Sequence, residues 1–302
     1  MDLSNENVIH IKKENIEYLQ FKKLLEYPEI KHLYSLGITR DYRTAKANNE
    51  KIDIQKYNQA IQNYKDLCNE INEPPYTKVI KANQTHSDNI KIINQKQIDK
   101  NAANQKIETA QNADSLITNE KDIILATTNA DCILFLLYDT ENKVIANVHS
   151  GWRGTVQRIA IKTVQKMQKE FNSKPENIIC CICPSIRKCH FEVGKEVKEI
   201  FQDEFKDIDL DKVIEETKPK EKWHIDTIEI NKILLKRLGL KEENIIEIVP
   251  NKKLNFGTVS IFPLSVSHSV PGAVMYSMNT KHGAICYTGD FIIDPLMKDA
   301  YD

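Results

Sequence analysis

The chain has 302 residues, enough for one broad domain or two smaller ones with a sizeable core. Its 42 Lys and Arg against 43 Asp and Glu leave a formal net charge of -1, which gives no electrostatic ground for nucleic-acid binding. Met1-Asp2-Leu3-Ser4-Asn5-Glu6-Asn7 lacks the cationic and apolar regions of a signal peptide, and no apolar run approaches the roughly 20 residues of a membrane span, so the expectation is a soluble cytoplasmic protein without a membrane partner.

From the N-terminus, Glu14 to Leu25 reads as a strand or helix start. Thr44 to Glu70 reads as a polar helix with Ile54, Tyr57, Ile61 and Tyr64 on one face, stopped by Pro74-Pro75. Thr77 to Ala82 is a predicted strand that delivers Asn83-Gln84-Thr85-His86-Ser87-Asp88. Gln95 to Thr109 is a polar surface excursion, and Asp114 to Thr118 followed by Asp122 to Ala126 leads into the most apolar part of the chain.

That part is Thr127 to Tyr138 followed by Val144 to Thr155, read as a β-hairpin running into a helix. Cys132 starts the first strand and His149 ends the second, so antiparallel pairing brings a thiol and an imidazole to one end of a buried sheet. His86, also at a strand end, is a third candidate donor, and three such ligands make a transition-metal site with one position left open. Apolar positions from Val156 through Ile159, Ala160, Val164, Met167 and Phe171 follow helical spacing, which makes Ser150-Gly151-Trp152-Arg153-Gly154 the joining turn. Free backbone N–H groups in that turn and the Arg153 fork suit an anion or phosphate, while the plainer reading is that Gly151 and Gly154 allow a tight turn and Arg153 pairs with a carboxylate. Asp131 falls on the opposite strand face from Cys132, as a supporting carboxylate, and Gln84 shares a face with His86 as a substrate or supporting contact.

Farther on, Asn177 to Ile182 is a strand, Cys183 to Glu192 a loop and Val193 to Phe205 a helix. Asp226-Thr227-Ile228-Glu229 has capping-box spacing ahead of a helix that turns Leu234, Leu235 and Leu238 inward and ends at Gly239, and Asn244 to Val249 is a further strand. Seven cysteines, four of them Cys180, Cys181, Cys183 and Cys189, fit reduced thiols better than a disulfide framework. The partial alternation of helices and strands predicts an α+β (α/β layered) fold of mixed β-sheets flanked by helices, with a short β-rich C-terminal appendage.

Gln84-Thr85-His86, Ala113 to Thr118, Ala130-Asp131-Cys132, Val148 to Thr155, Cys183-Pro184-Ser185-Ile186 and Phe191-Glu192-Val193-Gly194, in that order, resemble the laccase-domain family, also called polyphenol oxidase, peptidoglycan editing factor or purine nucleoside phosphorylase family. The resemblance covers about residues 30–250. It implies a zinc enzyme with His86, Cys132 and His149 as metal ligands and catalytic centre. It also implies phosphorolysis of adenosine, inosine, guanosine or methylthioadenosine with phosphate, and deamination of adenosine. Gln84, Gly151, Arg153 and Gly154 are the expected substrate and phosphate contacts.

Copper is the alternative metal, for a phenol oxidoreductase. Multicopper oxidation needs about four metal sites with paired histidines. The eight histidines here include no His-x-His pair, which ranks nucleoside chemistry first. Cys189 and His190 stand where the family often has paired cysteines.

The last fifty residues lack the family's terminal Cys-rich and Gly-Arg segments. Instead Phe256 to Phe262, Ser267 to Ala273 and Tyr287 to Phe291 resemble an internal piece of a ribonuclease J type metallo-β-lactamase, in which His268 and Asp290 would bind metal. The expected division is therefore a laccase-like nucleoside phosphorylase domain at 1–250 and a metallo-β-lactamase-like fragment at 251–302, with an inactive metal-binding remnant fused to a nuclease fragment as a further alternative. Strands are expected at Thr258 to Phe262, Ala273 to Met278 and Gly283 to Tyr287.

Overall fold

A computed structural model of the chain describes residues 3–13, 16–36, 54–71, 78–94 and 107–248, with the backbone of strands at 254–256, 259–265, 274–280 and 283–287. Contacts divide it into two compact units, Met1–Ile248 and Val249–Asp302.

The first unit opens with the hairpin β1 (Val8–Lys12) and β2 (Glu17–Phe21), a single helical turn α1 (Lys22–Leu25), and β3 (Tyr34–Ser35), which pairs with β2. Helix α2 (Ile54–Ile71) is followed by β4 (Lys78–Ala82), β5 (Ile90–Ile92), β6 (Ile107–Ala110), β7 (Ser115–Thr118) and β8 (Ile123–Ala126). The long hairpin β9 (Ile133–Asp139) and β10 (Val144–Ser150) runs into α3 (Trp152–Val156) and α4 (Ile159–Phe171). Then come β11 (Ile178–Ile182), β12 (Glu192–Val193), α5 (Lys195–Glu204), α6 (Leu210–Val213), β13 (Ile214–Lys218), β14 (Lys222–Ile225), α7 (Thr227–Leu238) and β15 (Ile245–Glu247).

The main sheet has the order β15-β11-β9-β10-β7-β5 and is mixed, since β11–β15 and β5–β7 pair in parallel while the pairs between them are antiparallel. Smaller sheets β1-β2-β3, β6-β4-β8 and β12-β14-β13 surround it, which is the mixed α+β class that the sequence pattern predicts. Both faces of β9 are covered, and this explains its unbroken apolar run. Ile133, Phe135 and Leu137 join Val144, Ala146 and Val148 of β10 against Ile159, Ala160, Val164 and Met167 of α4 and Leu235 of α7. The alternate residues Leu134 and Tyr138 pack on Val8, Leu19 and Phe21 of the N-terminal hairpin and Leu24 of α1. Truncating a fully buried residue such as Met167 to Ala therefore costs about 2–5 kcal/mol.

Helix α7 follows its sequence signals. The Asp226 side chain accepts the Glu229 N–H at 2.9 Å, and Gly239 closes the helix at φ 108, a conformation in which glycine carries no Cβ penalty. The reciprocal half of the capping box is absent: the Asp226 N–H donates to the Val213 carbonyl, and the Glu229 carboxylate pairs with Lys232.

Other expectations need correction. The helix after β10 begins at Trp152 rather than Thr155, and it is broken at Arg158, which sits left-handed at φ 60 with its guanidinium bonded to Glu204. In α2 the buried face is Ala60, Tyr64, Leu67 and Cys68, while Ile54 and Tyr57 are exposed. The helix expected from Val193 starts at Lys195, because extended Gly194 ends β12 and caps α5. Residues 44–53 of the expected polar helix and residues 95–106 of the expected excursion lie outside the described residues.

The second unit is an antiparallel sheet in the order β16 (Leu254–Phe256), β17 (Val259–Ser265), β18 (Val274–Thr280) and β19 (Gly283–Tyr287). His268 and Asp290 lie outside the described residues.

His32 ties β3 to β2. Its Nε2 accepts the Phe21 N–H at 2.8 Å, and burial pushes its pKa down from 6.5 to about 4. A group whose folded pKa is depressed gives stability that is complete above its unfolded value and is lost as pH falls toward the folded one. Urea unfolding should show stability falling between about pH 6.5 and about pH 4, by about 1–2 kcal/mol more than in a His32→Gln variant; parallel profiles would contradict this role.

Candidate metal centre

Pairing of β9 with β10 places His149 opposite Leu134 and Ser150 opposite Ile133, so Cys132 precedes the residue paired with Ser150, beside the end of β10. The loop leaving β4 brings in His86. One donor atom from each of His86, Cys132 and His149 lies within 4.8 Å of the others, and no other such cluster of His, Cys, Asp or Glu occurs among the described residues. Cys132 Sγ is 3.9 Å from His86 Nε2, and the two imidazoles meet edge-on with centroids 5.0 Å apart. His149 is buried, Cys132 half-buried and His86 exposed, so the cluster faces solvent on the His86 side.

One carboxylate organises the cluster. Asp114, fully buried just ahead of β7, accepts the backbone N–H groups of Thr85, His86 and Ser87 at 3.1, 3.0 and 2.9 Å, and the Ser87 hydroxyl at 2.7 Å. The same carboxylate bonds His149 Nδ1 at 2.8 Å, while its backbone carbonyl accepts the His149 N–H at 2.7 Å. Asp114 thus fixes the loop that carries one donor and the ring of another. With Nδ1–H committed to Asp114, Nε2 is the nitrogen of His149 left for the cluster, and loss of its proton frees the lone pair that a metal needs. His86 itself sits at φ 59, a left-handed conformation uncommon for a side-chain-bearing residue, and the three consecutive N–H groups gripped by Asp114 hold it there.

The electrostatics follow. Burial alone would raise the Asp114 carboxyl, but hydrogen bonds from His149, Ser87 and the loop backbone carry it well below the usual carboxylate range. Burial alone would lower His149; Asp114 and the neighbouring Cys132 instead raise it to about 9. His86 is lowered, first by burial and then by the charges of His149 and Arg153.

The other expected residues divide. The Arg153 guanidinium stacks over the Trp152 ring at 4.3 Å, is exposed, and its charge reaches His86. Gln84 is closed onto backbone: its amide donates to the Thr128 carbonyl at 2.6 Å and accepts the Thr128 N–H at 2.8 Å, pinning the His86 loop to the lead-in of β9. Gly154 is buried within α3, where an added Cβ would lie 3.3 Å from Ile159 and from Ser150, so close packing there favours a glycine. Gly151 caps α3 with extended backbone. The Asp131 carbonyl accepts the Ile186 N–H at 2.9 Å, and Asn129 donates to the carbonyls of Cys132 and Pro184, which anchors the Cys132 turn. Cys189 Sγ lies 2.9 Å from His190 Nδ1 on an exposed loop, and the cluster does not include either residue.

Asp114 was not among the expected site residues. Its signal in the sequence is an acid directly ahead of the short strand-forming run Ser115 to Thr118, which the fold buries throughout.

Comparison with known proteins shows the family of the chain. The family described as multi-copper polyphenol oxidoreductase laccase matches residues 41–251, and the chain belongs to it. A purine nucleoside phosphorylase of Bacteroides thetaiotaomicron is 31% identical over 227 residues, covering 74% of this chain and 82% of that protein. Adenosine deaminase RL5, from an unknown prokaryotic organism, is 31% identical over 56% of this chain and 63% of its own length. Among solved structures, the hypothetical protein YfiH of Bacillus licheniformis superposes with a TM-score of 0.61 at 20% identity, covering 81% of this chain and 86% of that one, which shows a shared fold. The family match ends at residue 251, so it does not bear on the ribonuclease J type resemblance expected of the tail. No helix among the described residues is long and apolar enough to cross a membrane.

Removing the Asp114 carboxylate orphans the buried Nδ1 of His149 and the partly buried N–H groups of the His86 loop. Asp114→Ala should destabilise the first unit by about 3 kcal/mol or more, read as a lowered urea midpoint, and weaken metal binding by about 10–100-fold. Because its folded pKa is depressed, the contribution of Asp114 is complete above the ordinary carboxylate range and is lost as pH falls below it.

Proposed function

We propose that the chain is a zinc-dependent purine nucleoside phosphorylase that also deaminates adenosine, with the enzymatic role assigned to residues 1–250. The observation that carries this reading is the convergence of His86, Cys132 and His149, with the far nitrogen of His149 already committed to a buried carboxylate. Two imidazoles and one thiolate, open to solvent on one side, are a donor set suited to zinc with a coordination position left for reactants. The names of the relatives, purine nucleoside phosphorylase and adenosine deaminase, support purine nucleosides with adenosine among them; inosine, guanosine and methylthioadenosine, each with phosphate, come from the resemblance of the sequence motifs to the family.

Bound by these ligands, zinc supplies Lewis-acid polarisation and lowers the pKa of water. The chain's own residues do the rest. Asp114 holds the His149 tautomer and fixes the His86 loop, so both rings are oriented before substrate arrives. Arg153, pre-organised by its stack on Trp152, presents a planar fork to phosphate on the exposed side. Gln84 acts through the loop it pins rather than by touching substrate. The site lies in a protein read as cytoplasmic, where both phosphate and nucleosides are the expected small-molecule partners.

The copper-dependent phenol oxidoreductase is the second reading, favoured by the description of the family. It calls for several metal sites, and one three-donor cluster occurs among the described residues. An inactive metal-binding remnant is the third.

Adenosine incubated with phosphate should yield adenine and ribose 1-phosphate, and without phosphate inosine and ammonia; His149→Ala should abolish both. Arg153→Ala should raise the KM for phosphate by about tenfold or more while changing deamination far less. Copper uptake with phenol oxidation and no nucleoside turnover would instead select the second reading.

A further inference from the structure

Gly151 has an ordinary backbone, φ -71 and ψ -177, that any residue adopts, so conformational freedom does not explain a glycine there. Space does. A Cβ built on Gly151 would lie 3.0 Å from Cys132 Sγ and 3.1 Å from His86 Cδ2, with His86 Nε2 at 3.9 Å. Carbon–carbon contacts settle at about 3.5–4.0 Å, so both side chains would have to give way. A side chain at position 151 would thus meet two of the three candidate ligands.

Neither ligand can retreat and stay in place. The Cys132 backbone is held where it enters β9, its carbonyl accepting from Asn129 at 2.6 Å. The His86 backbone is gripped by Asp114, and the His86 ring rests edge-on against His149. What remains free is the exposed side of the His86 ring. A side chain at position 151 would push that ring outward and turn the thiol aside, which the fold tolerates and a shared metal does not.

From this we infer that Gly151 is a positioning residue: the missing Cβ sets the separation of the Cys132 thiol and the His86 imidazole, and so the chain's affinity for metal. The inference rests on the metal reading of the site and gives Gly151 a role through the ligands, in place of the phosphate contact expected from its turn.

The test begins with zinc titration of the wild-type chain by chelator competition. One tight zinc per chain confirms the premise; no uptake would sink the metal reading itself rather than the role of Gly151. Given uptake, Gly151→Ala should keep the wild-type circular dichroism and a melting temperature near that of the metal-free wild type. It should bind zinc about tenfold or more weakly, and the cobalt-loaded form should lose or shift its thiolate-to-cobalt absorption. Wild-type zinc affinity with an unchanged cobalt spectrum would overturn the inference.

Should the variant melt too low to load, the same substitution is made in a chain carrying His86→Ala and Cys132→Ala. Clearance then predicts a much smaller loss of melting temperature in that background, and an equal loss in both would overturn it.

Discussion

The buried carboxylate of Asp114 is the constraint on which the site depends. A charge without solvent is tolerated only where enough donors surround it, and here they come from two places at once: the loop after β4 and the end of β10. Satisfying that one group couples a loop to a sheet. The loop is thereby bent into a left-handed turn at His86, and the ring of His149 is locked with one nitrogen facing the cluster. Stability and site geometry rest on the same bonds.

The sheet supplies the rest of the precision. Because β9 is buried on both faces, a register slip would exchange its two sets of side chains between two differently packed cores, and that misfit favours the pairing that sets Cys132 beside the end of β10. The helix that follows starts at once, at Trp152, and this fixes Arg153 on an exposed face from which its charge reaches His86. Rigid elements thus carry two donors, and a clamped loop carries the third. An open side toward solvent lies at the loop, where a substrate could enter without disturbing the sheet.

How much of this was legible in the sequence follows from the range of the interactions involved. The hairpin and the convergence of Cys132 with His149 could be read from apolar runs, since strand pairing maps sequence ends onto spatial neighbours. Asp226 and Gly239 could be read because caps act within four residues. Asp114 could not be read as the organiser, because its partners lie about thirty residues away on either side and only the fold brings them together. The left-handed break at Arg158 carried no local signal, and the partner of its guanidinium, Glu204, lies on another helix. In α2 the apolar periodicity gave a stripe, but not which part of it would find a partner, and Ile54 and Tyr57 did not. Gln84 was read from the face it shares with His86 and Gly154 from the turn after His149; the bond of Gln84 to the Thr128 backbone and the close packing at Gly154 depend on distant segments and carried no local signal.

The claim that these three side chains share one metal ion is tested most directly by X-ray absorption at the zinc edge on the loaded protein. One sulfur at about 2.3 Å and two imidazole nitrogens at about 2.0–2.1 Å is the predicted shell. A shell of oxygen and nitrogen without sulfur, unchanged when Cys132 is replaced by Ala, would contradict a centre built from His86, Cys132 and His149.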